Sequence, residues 1–189
     1  MQERQSVFRS IGSEFALAGI RMDIAPWEML IRSTALHYFI RDHETWLWPI
    51  MQSLHYLGAS LLLGTVGLFD LRALGFAKGI VPGTIHRLMP WGVAGYFSNM
   101  LLGIVFFFGH PDQYFYNDAF RMKLGLMVLA GINVLVFYTT GAFTEVSKLP
   151  AGADASMRVK IITGASLAAW VGVLICGRLI TFFRPPFFH

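Results

Sequence analysis

An all-α fold is predicted for this chain: a four-helix transmembrane bundle running up-down-up-down, preceded by an amphipathic N-terminal interfacial helix. Two observations predict it. The 189 residues are 55% hydrophobic and only 14% charged, with a mean hydropathy of +0.55, whereas soluble domains carry roughly 25% charged residues. And the apolar residues are gathered into four uninterrupted runs, Trp46 to Phe69, Trp91 to Gly109, Leu124 to Phe143 and Ile161 to Phe183, of which only the last contains a formal charge, Arg178. About 20 residues of helix cross a hydrocarbon core of about 30 Å, and every backbone polar group must be satisfied inside the segment, so runs of this length read as helices.

The elements follow in order. Residues 1–45 form a segment of a different kind, with Glu3, Glu14, Asp23, Glu28, Asp42 and Glu44 interleaved with Arg4, Arg9, Arg21, Arg32 and Arg41. Between Pro26 and Arg41, Trp27, Leu30, Ile31, Thr34 and Tyr38 fall on one helical stripe, which predicts a helix lying at the membrane interface or docking a partner. No short apolar core with a small-residue cleavage site precedes it, so it is not expected to be a removable signal. Residues 46–189 form the transmembrane domain. Pro49 sits in the first turn of the first span, Pro90 sits where a helix-starting proline belongs, and Pro185 and Pro186 follow the last span. Asp70 to Pro90, His110 to Lys123 and Thr144 to Lys160 are connections short enough to make successive spans antiparallel neighbours.

Several function classes are excluded by what is missing. No Lys/Arg-rich run suits a phosphate backbone, so nucleic acid is not an expected partner. Cys176 is the only cysteine, which removes intrachain disulfides and paired-cysteine metal motifs. No GxSxG, HExxH or P-loop pattern is present, so no catalytic residue is predicted. The first and third connections hold Arg72, Lys78, Arg87, Lys148, Arg158 and Lys160 against Arg121 and Lys123 in the second. By the positive-inside rule this orients both termini to the periplasmic side of a bacterial inner membrane.

Small residues mark helix contact faces in lipid. Gly164, Ala168, Gly172 and Cys176 recur every fourth residue in the last span, and Gly92, Gly95, Asn99 and Gly103 make a stripe in the second. Polar residues inside spans carry more chemistry, because they are expensive there. Counting residues from each span end at about 1.5 Å per residue puts His55, Asn99 and Asn133 about 14 to 18 Å deep, with Arg178 above them at about 9 Å. Neutral histidine is both a ligand and a hydrogen-bonding group. His55 is therefore read either as a histidine hydrogen-bonded to Asn99, Asn133 or a carbonyl and holding helix register, or as the centre of a haem b or quinone site, with Asn99 and Asn133 in its layer, Arg178 snorkelling to the near interface or turned toward propionates or a quinone oxygen, and Met100 or His110 as a second haem ligand. With His37, His189, Asp42, Glu44 and Asp112 also on that side, His43 and His110 are candidate ligands of a divalent metal at the interface. Asp70 and Arg72 read as helix-end groups.

Trp46-Leu-Trp-Pro49, His55-Tyr-Leu-Gly58, Asp70-Leu-Arg-Ala-Leu-Gly75, Phe120-Arg-Met-Lys123 and Gly177-Arg-Leu-Ile180 occur in that order. Over roughly residues 46–184 this pattern resembles an uncharacterised bacterial family of small four-helix integral membrane proteins. In architecture it is distantly similar to copper-resistance D-type proteins and cytochrome b-type membrane domains. Those cytochromes use paired intramembrane histidines, and Tyr138 and Trp170 stand here where a ligand would be welcome.

The function expected from these observations is a membrane subunit or partner of an electron-transfer assembly, contacting haem b or quinone near His55. The alternative is a cofactor-free structural or assembly subunit, in contact with membrane lipids and with other membrane subunits or further copies of itself. A small permease or copper-handling protein ranks third, because the spans hold no carboxylate and no broken-helix pattern.

Overall fold

The computed structural model describes residues 26–183, which are helical apart from short connections. α1 (Pro26–Arg32) and α2 (Ala35–Asp42) lead into α3, an unbroken helix from Glu44 to Leu74. α4 (Pro82–His86) abuts α5 (Met89–Gly109); α6 (Pro111–Phe115), α7 (Asp118–Thr139), α8 (Ala142–Ser147) and α9 (Met157–Leu179) follow. α3, α5 with α4, α7 and α9 are each long and apolar enough to cross a membrane, which makes this an integral membrane protein.

Helix ends differ from the limits of the apolar runs, because caps rather than hydropathy set them. α3 continues five residues past Phe69, until Gly75 adopts φ 105° and closes a left-handed cap. α7 begins at Asp118, six residues before Leu124, where the Asn117 side chain accepts from the N–H of Phe120 at 3.2 Å. It stops at Thr139, and Gly141 at φ 76° starts the separate helix α8. Ser156 caps α9, which begins at Met157, four residues before Ile161, and ends at Leu179 rather than Phe183. Within α3 a π-helical turn at Leu63–Gly67 adds a bulge, where the Thr65 hydroxyl donates to the Leu61 carbonyl at 2.8 Å.

The N-terminal helix is two helices. The Ser33–Thr34 step breaks it, and the Thr34 hydroxyl caps α2 by accepting from the N–H of His37. Its inner face differs from the predicted stripe: Glu28, His37 and Ile40 are buried, whereas Leu30 and Tyr38 are 71% and 60% exposed. Trp27 does pack inward, its ring 4.2 Å from that of Phe115. His37 Nδ1 lies 2.8 Å from the Phe108 carbonyl, which ties α2 to the end of α5.

The four spans associate as two antiparallel pairs, α3 with α5 and α7 with α9. Glycines set the first pairing: a Cβ on Gly95 would lie 2.5 Å from the Gly58 carbonyl oxygen, and one on Gly92 would strike Thr65. The predicted stripe of the last span is only half a contact face. Gly172 lies against Leu126 and Cys176 is buried, but Ala168 is exposed. The buried face runs instead through Val159, Thr163, Ser166, Trp170 and Val173, a three-and-four spacing that follows the 3.6-residue turn better than a strict four-residue repeat.

Contacts between the pairs concentrate on the π turn and on residues 68–74 of α3. There Phe69, Ala73, Val146 and Val159 belong to one buried cluster. Arg72, fully buried, staples the adjoining connections by donating to the carbonyls of Ile80 at 2.6 Å and of Pro150 and Ala153 at 3.3 to 3.4 Å. Outside it, Asp154 pairs with both Lys78 and Lys160. At mid-depth Ala130, Trp170 and Val173 form a second, smaller cluster against Leu62, Tyr96 and Met127. Beyond it, toward the start of α3, the pairs diverge.

Candidate functional site: the His55 cavity

The divergence leaves a cavity of about 960 Å³ between the helix pairs, walled by α3, α5, α6, α7 and α9. That is the upper end of the roughly 300–1,000 Å³ of small-molecule sites. Its walls are chiefly apolar and aromatic, with a few polar groups from different helices: Gln52, His55 and Tyr56 from α3, Asn99 from α5, Lys123 from α7 and Arg178 from α9.

His55 and Asn99 meet across the α3–α5 contact, and the surrounding backbone dictates how the amide points. Its nitrogen lies 2.6 Å from the His55 carbonyl oxygen, which would repel a second oxygen, and its oxygen lies 2.7 Å from the Ala59 nitrogen, whose N–H would repel the amide NH₂. With the amide so assigned, the nitrogen also donates to His55 Nδ1 at 2.9 Å. One ring nitrogen's hydrogen bond determines where the proton sits on the other. Nδ1 is thus the acceptor, and neutral His55 carries its proton on Nε2. Phe106 holds the ring edge-on at 5.5 Å between centroids.

This tautomer bears on what the cavity can take. An iron at Nε2 needs the lone pair there and the proton on Nδ1. Asn99 would then have to turn its oxygen to Nδ1, setting it against the His55 carbonyl and its NH₂ against the Ala59 N–H. Met100, the proposed second ligand, lines the same cavity but is 37% exposed. His110, the other candidate, has Nε2 3.0 Å from a Glu44 oxygen, and Glu44 in turn holds Arg41 at 2.6 Å. An Nε2–H is a donor, so the donor set fits a carbonyl oxygen rather than a haem iron.

The other predicted residues separate. Asn133 is not in the His55 layer: its amide donates to the Ile162 carbonyl at 3.0 Å, and it lines a second cavity. Counted from Arg121, just before the apolar run, Asn133 is twelve residues deep; counted from Asp118, where α7 starts, it is fifteen, about 4.5 Å deeper. Arg178 does line the His55 cavity, one residue from the end of α9, with its guanidinium 5.7 Å from the Phe182 ring centre. His43 turns away, Nδ1 bonding the Phe39 carbonyl at 2.9 Å and the ring packing on Phe39 and Trp46. Among the described residues no group of three or more His, Cys, Asp or Glu side chains is arranged to hold a metal. His189 lies outside the described residues.

Lys123 is a site residue that sequence reasoning passed over. It lies against Gly177, where an added Cβ would be 3.7 Å from Nζ, and among the described residues it pairs with no carboxylate. Its place just before an apolar run had marked it as a connection residue; the earlier start of α7 puts it one turn inside the helix. Tyr114 of α6 closes the same wall, and burial pushes its phenol up to about 12.

Comparison with protein-family models, with curated proteins and with solved structures returned no match.

Proposed function

We propose that the chain is the membrane subunit or partner of an electron-transfer assembly that binds a quinone in the His55 cavity. The carrying observation is the Asn99–His55 contact: with the amide assigned so that its nitrogen donates to Nδ1, Nε2–H is left as a donor for a quinone oxygen. Aromatic walls suit a flat ring and an isoprenoid tail, and Lys123 and Arg178 favour negative charge developing on a reduced ring. The membrane is read as the bacterial inner membrane with both termini periplasmic, supported by the Lys/Arg excess of the first and third connections.

The test is to purify the protein in mild detergent, extract it with organic solvent and identify the quinone by mass spectrometry, alongside its visible spectrum. Near-stoichiometric quinone, lost in His55→Leu and lowered in Asn99→Leu, is the expected result, with quenching of Trp48 fluorescence on quinone addition as a second readout. A Soret band that disappears in His55→Leu would return the site to haem. Absence of both a Soret band and quinone, with no quenching on addition, would leave the cofactor-free assembly subunit as the better reading.

A further inference from the structure

Among the described residues two buried side-chain polar atoms lack a hydrogen-bond partner, Oδ2 of Asp70 and Nε1 of Trp170, and both residues line one second cavity of about 330 Å³. Asp70 is 4% exposed and belongs to the spanning helix α3. Thr163, Ser166, Asn133 and Tyr138 add hydroxyl and amide groups to the wall, and the wall contains no Lys, Arg or His.

The neighbouring cations are committed elsewhere. On the same helix, Arg72 spends its guanidinium on the carbonyls of Ile80, Pro150 and Ala153. From α4, His86 packs on Phe69 and Phe143 and lies 3.4 Å from the Tyr138 hydroxyl. At the start of α9, Lys160 pairs with Asp154, and Arg158 with Glu145 of α8. From α5 and α7 the titratable groups facing the cavity are the phenols of Tyr96 and Tyr138. An ionised Asp70 would be a buried charge without a counter-charge, the arrangement proteins avoid most strongly.

We propose that Asp70 is a proton-binding site within the span, holding its proton toward the second cavity and exchanging it with water there. The step is carboxylate plus hydronium giving carboxylic acid plus water, and its reverse. Protonation turns the orphan Oδ2 into a group that both donates and accepts. A hydrated cavity gives the Trp170 N–H an acceptor, and at about 30 Å³ per water molecule it has room for several. A bound metal cation suits the site less well, because it would share the cavity with the Trp170 N–H donor. The Asp70 and His55 cavities share Leu62, Tyr96, Met127 and Trp170 as walls, so only one layer of side chains separates them.

The test is infrared spectroscopy of the detergent-purified protein, which needs no quinone and so is independent of the function proposed above. A carbonyl band of a protonated carboxyl at neutral pH, absent in Asp70→Asn, shifted in D₂O and indifferent to sodium, is expected. Should Asp70→Asn fail to fold, Asp70→Glu supplies the assignment by moving the band. No such band between about pH 5 and pH 9, a band that does not shift in D₂O, or one that sodium abolishes would overturn the proposal.

Discussion

The two ends of the bundle are built differently. At the Asp70 end, connections, helix ends and both helix pairs converge on one buried cluster, and Arg72 binds three carbonyls from two connections. At the His55 end the same four helices stand apart around a cavity of about 960 Å³, and what joins them is local: Asn99 on His55, and Asn117 donating to the Ile180 and Phe183 carbonyls at 2.9 and 2.6 Å. One end is held by packing and a staple; the other keeps a volume open between rigid pairs. The difference teaches that the bundle's stability and its chemistry are largely separable, with substitutions at the first end acting on folding and those at the second on binding.

The largest expected effect breaks the closed end. Arg72→Ala leaves three carbonyls short of donors and opens a void, and is expected to cost roughly 3–5 kcal/mol, read as a large fall in thermal unfolding temperature in detergent. A loss under about 1 kcal/mol would mean that the staple is not needed to hold that end.

Glycine substitutions in α5 and α9 sharpen the comparison. Gly95→Ala pushes a Cβ against the Gly58 backbone, which cannot yield as a side chain can, and should cost roughly 1–3 kcal/mol. Gly172→Ala meets the flexible end of Leu126 and should cost less. Gly103→Ala faces open space in the cavity wall and should leave stability unchanged. Equal effects of Gly95→Ala and Gly103→Ala in thermal denaturation would contradict the distinction between packed and open ends.

Asn99→Ala is expected to cost roughly 1–3 kcal/mol, because it removes the partner of His55 Nδ1 from a buried helix contact. It should also free the His55 tautomer, visible as a changed ¹⁵N shift pattern of the imidazole. An unaltered pattern would show that Asn99 does not determine where the proton sits.

The smallest expected effect lies on the outer surface of the closed end. Lys78 holds the exposed Asp154 carboxyl below the usual carboxylate range, and the Ser156 hydrogen bonds do the same for Glu145. Groups with depressed folded pKa values contribute stability above their unfolded values, near 4, and lose it as pH falls through the folded values. The unfolding temperature should therefore drift downward only below about pH 4, and Lys78→Met should flatten that drift slightly, since exposed pairs contribute little. A drift unchanged by Lys78→Met would remove Asp154 from the explanation.

What the sequence determined by itself was the class of protein and the existence of its four spans, because hydrophobic length is a quantity summed along the chain and needs no knowledge of neighbours. It also pointed to His55 and Asn99, since an imidazole and an amide in an apolar run must find partners somewhere. Which partners they found was decided only by the tertiary structure. A start at Asp118 rather than Arg121 puts Asn133 about 4.5 Å further from its helix end, and the amide lines another cavity instead of the His55 layer. Asp70 and Arg72 read as membrane-boundary groups because charge at the end of an apolar run usually marks water. They are buried because α3 runs on past Phe69, and the first and third connections fold over its end. The tautomer of His55 depends on one amide wedged between a carbonyl and an N–H of the facing helix, a relation between helices that no stretch of either sequence contains.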